Sequence, residues 1–86
     1  MTHRNSYILE CRKLAREETQ GFKQDLKTFN KSQLKSHKDS QVYFYNKALQ
    51  ELQNNPDSKE IYLKKRISYQ KLFYIVLEIH KQGGLN

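Results

Sequence analysis

The chain has 86 residues, sixteen of them Lys or Arg and nine Asp or Glu, which gives a formal net charge of +7 and a pI near 9.6. That length admits one domain with a thin core, because a chain of this size buries only a little more than about 60% of the surface its unfolded form exposes. The single cysteine excludes an internal disulfide framework, no apolar run approaches the roughly 20 residues of a membrane span, and the basic balance points to acidic partners: nucleic acid, an anionic membrane surface or an acidic protein.

Three Gly and one Pro leave few places to interrupt long helices. The first helix is predicted over about residues 6–29, with Ser6 as its N-cap and Ile8, Cys11, Ala15, Phe22, Leu26 and Phe29 on one face at helical spacing. Gly21 falls inside this pattern, where it weakens the helix by about 1 kcal/mol relative to Ala, and marks a bend or a close backbone contact.

Asn30-Lys31-Ser32 supplies turn and cap chemistry. A second helix is predicted over about residues 33–54, with Leu34, Val42, Tyr45, Ala48, Leu49 and Leu52 in register and polar first turns that fray. Asn54-Asn55-Pro56-Asp57 is the clearest boundary, since a residue before proline is pushed out of the helical region and Asp57 with Glu60 has the form of a capping box. The third helix, about residues 57–82, is apolar on two faces, one through Tyr62, Tyr69, Phe73 and Val76, the other through Leu63, Ile67, Tyr74 and Leu77. So wide an apolar surface should meet both other helices or a ligand between them. Gly83-Gly84 is its stop signal. Short connections between three such helices predict an all-α single domain over residues 1–86, a three-helix antiparallel up-down-up bundle.

Arg12, Arg16, Lys23 and Lys27 fall on one line of the first helix at about 100° per residue, beside its apolar face. Like charges at i,i+4 repel by about 0.2 to 0.5 kcal/mol per pair, so the line brings no internal benefit, and an acidic partner would supply one. Catalysis is the least expected class: His3, His37 and His80 are scattered without a Cys or carboxylate at ligand spacing, and there is neither a phosphate loop nor a nucleophile motif. No catalytic or metal-binding residue is therefore assigned. The ten Tyr and Phe residues interleaved with Lys leave nucleic-acid stacking open, although the basic residues are spread over all three helices. The N-terminus lacks the apolar core and cleavage site of a secretory signal and is compatible with an uncleaved mitochondrial import segment or an ordinary helix start.

A basic three-helix chain of this length, whose first helix carries Arg12 and then Arg16, resembles the Leu-Tyr-Arg (LYR) motif family of small mitochondrial proteins. Glu10-Cys11-Arg12 occupies the place of the name-giving tripeptide, with only the Arg kept, while Leu14, Arg16 and Phe22 sit where members carry an apolar residue, the second Arg and a Phe. Members are adaptors and accessory subunits of respiratory-chain or iron-sulfur assembly complexes, and many bind the mitochondrial acyl carrier protein. The resemblance implies that Arg12, Arg16, Lys23 and Lys27 dock that acidic carrier. It implies no cofactor bound directly, but a 4'-phosphopantetheine-linked acyl chain contributed by the carrier and received among Leu14, Phe22, Phe73, Val76 and Leu77. A respiratory or iron-sulfur client and a mitochondrial location, in the matrix or on the matrix side of the inner membrane, follow on the same terms. The competing expectation is a small cytoplasmic interaction protein of prokaryotic or phage origin, such as a bacteriocin immunity protein or an inhibitor of a nucleic-acid-binding machine.

Overall fold

The computed structural model describes residues 3–84, with side chains described from Tyr7 onward. It is all-helical, with no strand among the described residues: α1 (His3–Glu18), α2 (Gln20–Asp25), a 3-10 turn at Leu26–Thr28, α3 (Lys31–Asn54) and α4 (Lys59–Lys81).

The predicted first helix is thus broken, and the break lies at Thr19 rather than Gly21. The Thr19 hydroxyl donates to the Ala15 carbonyl oxygen at 2.8 Å and approaches that of Arg16 at 3.3 Å. A threonine that bonds back to the preceding turn competes with the helical ladder and bends it, and Thr19 sits at φ −101°, ψ 4°. A Cβ built on Gly21 meets nothing within 4 Å, so the glycine makes no close backbone contact. At the other end α1 starts at His3, which places Ser6 inside the helix rather than at its cap; the Ser6 side chain lies outside the described residues.

α3 begins two residues earlier than its sequence pattern predicts because Asn30 and Gln33 form a capping box. The Gln33 N–H donates to Asn30 Oδ1 at 2.8 Å and the Asn30 N–H to Gln33 Oε1 at 2.9 Å. Two orphan N–H groups are satisfied, and the polar first turns stay helical. The break around Pro56 stands as predicted, but its cap is Ser58, whose Oγ accepts from the Ile61 N–H at 3.2 Å. Asp57 is left in the turn, so α4 begins at Lys59 rather than residue 57, with Glu60 in its first turn, where a negative charge suits the helix dipole. The end is a Schellman motif: the Gly84 N–H reaches the Ile79 carbonyl at 2.9 Å and the Gly83 N–H that of His80 at 3.1 Å, with both glycines at positive φ.

α4 packs along α1 and along α3, whereas α1 and α3 scarcely touch each other. The Cα envelope is correspondingly shallow, 45 × 23 × 15 Å. Buried Leu26, Leu34 and Ile75 form the main cluster, joined by half-buried Phe22, Phe29, Tyr74 and Ile79, where α2 and the 3-10 turn meet the start of α3 and the end of α4. Along α1, Cys11, Ala15 and Thr19 lie at successive i,i+4 positions and are wholly buried, and Ser68 of α4 is buried too. Small side chains at that spacing let helices approach closely. Contacts between the first part of the chain and α4 advance together along both: Glu10 with Lys59, Phe22 with Lys71, and the Phe29 carbonyl with Gln82.

Candidate partner-docking surface

Arg12 and Arg16 are exposed on α1, with no carboxylate within ion-pair distance among the described residues. Glu10 lies on a different face from both, and its Oε1 pairs with Lys59 Nζ across the helix contact at 2.9 Å. That hydrogen bond pushes the Lys59 ammonium above its usual range. Beside it, burial raises the Cys11 thiol, partly offset by the nearby Lys59 charge.

Beyond the bend, Lys23 and Lys27 are also exposed and stand over a small crevice between α2 and α4, floored by Leu26, Tyr74 and Leu77. The Lys23 ammonium lies 5.2 Å from the Tyr74 ring centroid, a cation–π contact. Lys81 of α4 joins the rim, and so does Glu78, whose Oε1 accepts from Gln82 Nε2 at 3.3 Å. Lys81 could not be placed here from periodicity, since it arrives from the far end of the chain. The crevice holds about 40 Å³, room for a water molecule and for no acyl chain.

The residues that the resemblance assigns to an acyl pocket are not brought together. Phe22 faces inward, packed on Phe29 at 6.4 Å and on His37 at 5.9 Å between ring centroids, with the Lys71 ammonium over its own ring. Leu14 is half-buried on α1 and lines none of these hollows. Phe73 and Val76 lie on the outer surface in a different groove, between α3 and α4, and Leu77 is at the crevice. The expectation that Phe73, Val76 and Leu77 face an internal ligand space is corrected: all three are exposed, at 50%, 52% and 42%. The reason is that α4 is flanked on two sides only, so the face through Tyr69, Phe73 and Val76, and Leu77 at the edge of the other, meet solvent.

A further groove of about 410 Å³ between α3 and α4 has Phe44, Ala48, Ile67 and Ser68 with Lys47, Lys64, Lys71 and Glu51. Among the described residues no group of three or more His, Cys, Asp or Glu could hold a metal ion, and no helix is long and apolar enough to cross a membrane. Comparison with protein-family models, with curated proteins and with solved structures finds no match to this chain.

Proposed function

We propose that this chain is a non-catalytic helical adaptor that docks an acidic protein on the basic edge of α1 and α2. In its most specific form the reading is that of a Leu-Tyr-Arg-type accessory protein of a mitochondrial respiratory-chain or iron-sulfur complex, with an acylated acyl carrier protein as the acidic partner. The observation that carries it is the exposed pair Arg12 and Arg16, one turn apart and unanswered by any described carboxylate. Lys23, Lys27 and Lys81, around the Leu77 crevice, extend the same basic surface. Such a surface raises the encounter rate with an anionic partner and loses that advantage in salt.

The same reading takes α1 and α2 as one bent helix and the whole as an up-down-up bundle of three. Its support is the parallel advance of contacts from Glu10–Lys59 to Phe29–Gln82, with α3 running between them in the opposite sense. An acyl chain does not fit the 40 Å³ crevice. It enters by parting α2 from α4, and the carrier then stabilises an opened bundle by mass action.

The test is co-purification of the full chain with acyl carrier protein, followed by intact mass. A complex with the acylated carrier, lost on reversing Arg12 and Arg16 to Glu, is the expected result. A complex formed equally well by a carrier lacking its prosthetic arm and by the reversed variant, or no complex at all, overturns the acyl-carrier reading.

A further inference from the structure

The outer face of α3 and α4 carries a second surface, separate from the basic edge. Tyr45 of α3 with Tyr69, Leu72, Phe73 and Val76 of α4 lines a hollow of about 400 Å³, and Leu49, Leu52 and Tyr62 with Lys65 line another of about 380 Å³. Leu49 is one turn from Tyr45, and Lys65 one turn from Tyr69, so the two hollows run end to end. From Tyr62 to Val76 the α4 wall is about 21 Å long at 1.5 Å per residue, the length of a helix of about 14 residues. No residue of α1 or α2 lines either hollow, and Tyr69, Phe73 and Val76 are 45%, 50% and 52% exposed.

Charge selects the occupant. None of the chain's nine carboxylates lines this groove, and its flanking cations lean over its own rings: Lys65 Nζ lies 5.0 Å from the Tyr62 centroid and the Arg66 guanidinium 4.9 Å from that of Tyr69. Arg66 has no carboxylate within reach among the described residues. A guanidinium stacked on a ring with its donors unanswered is preset for a carboxylate. A second copy of the chain would bring another +7 against the same cations. A single nucleic-acid strand suits the rings less well, because Leu49, Leu52, Leu72 and Val76 make much of the floor aliphatic and one lysine lines it.

We propose that the outer α3–α4 groove receives an amphipathic helix of a partner protein, its apolar ridge against Tyr69, Phe73 and Val76 and an Asp or Glu on its flank paired with Arg66. This is helix-in-groove recognition, with anchors at i, i+3 or i+4 and i+7. The surface is independent of Arg12 and Arg16, so the two proposals fail separately.

The experiment pans a display library of random peptides of about 14 residues, the length of the groove, on the full chain. It then measures the winners against Phe73→Asp, Arg66→Glu and the Arg12→Glu/Arg16→Glu double variant, each checked for helicity by circular dichroism. The expected winners carry apolar residues at helical spacing with flanking acids. They weaken by about tenfold or more on Phe73→Asp and on Arg66→Glu, and hold their affinity for the double variant. The proposal is overturned by a library that returns no such peptide, by winners without acids, by winners that bind Phe73→Asp or Arg66→Glu undiminished, or by an oligothymidine strand that binds more tightly than the peptides. A dimer in sedimentation that Phe73→Asp abolishes also overturns it, in favour of a second copy.

Discussion

Glu10 and Lys59 are joined at 2.9 Å between helices whose sequence positions are far apart, and the pairing ties the middle of α1 to the start of α4. Arg12 and Arg16 lie on another face of α1, where Glu10, two positions before Arg12, does not reach them, and both face outward with no carboxylate in ion-pair distance among the described residues. Both partners of the pair are about half exposed, so it contributes little to stability. Glu10→Gln is expected to leave the fold intact and to strengthen binding of an acidic partner slightly by removing one negative charge from the surface, measurable by titration calorimetry.

Docking on the basic edge should be salt-sensitive, because the Debye length falls from about 10 Å at 0.1 M to about 3 Å at 1 M. Affinity for acyl carrier protein is expected to drop steeply over that range and to vanish in the Arg12→Glu/Arg16→Glu variant. Reversal of Lys35 and Lys38 on α3 should have a smaller effect. Equal losses for the two pairs would mean that net charge, rather than the α1 edge, governs binding.

Gly21 lies within α2 at an ordinary helical conformation, with open space where a Cβ would go. Gly21→Ala is therefore expected to stabilise the chain by about 0.4 to 1 kcal/mol, through a less disordered unfolded state and better helix propensity. Urea unfolding followed by circular dichroism reads this as a higher midpoint with an unchanged slope.

Leu34 is wholly buried and Phe73 half exposed, although both read from sequence as apolar helix positions. Leu34→Ala should cost about 2 to 5 kcal/mol by leaving a cavity, enough to unfold a domain with so small a core. Phe73→Ala should cost far less. Thermal melts that show the two variants alike would contradict the packing of the Leu26–Leu34–Ile75 cluster.

Cys11 is fully enclosed, with its thiol raised above the usual range chiefly by burial. The folded chain holds that proton more tightly than the unfolded one. The associated stability is complete below the unfolded thiol's range, around pH 8.5, and is lost as pH rises through the raised folded value. Lys59, raised by its bond to Glu10, acts in the same direction at higher pH. Stability is expected to hold up to about pH 8.5 and to decline as the pH rises above it, less so in Cys11→Ala. Iodoacetamide should modify the native thiol far more slowly than the urea-unfolded one.

Sequence patterning reached the helices, the Pro56 break and the glycine stop, because caps and breakers act within a few residues of themselves. It misplaced the first break, since at Thr19 a side chain bonding back to Ala15 decided the bend and the nearby glycine did not. It also mistook which Tyr, Phe and Val side chains are covered. The period of α4 marks two apolar faces, but only tertiary packing reveals that α1 and α3 cover part of that circumference and leave Phe73 and Val76 in solvent. The basic edge was legible as far as Lys27. Lys81 joins it through the packing of α4 beside Lys23–Lys27, more than fifty positions earlier, which no local pattern encodes.

The separation of α1 from α3 has a kinetic consequence. α3 and α4 are linked by a four-residue turn, Asn55 to Ser58, and their contacts close a short loop, whereas docking α1 on α4 joins segments some fifty positions apart, as Glu10 and Lys59 are. Loop closure favours the nearer pairing, so the hairpin is expected to form the folding nucleus and α1 to add to it afterwards. Substitutions in the Cys11–Ala15–Thr19 stripe should then accelerate unfolding while leaving the refolding rate nearly unchanged. On that order, the segment that presents Arg12 and Arg16 is expected to exchange its amide protons before the α3–α4 hairpin does, which native-state hydrogen exchange would read.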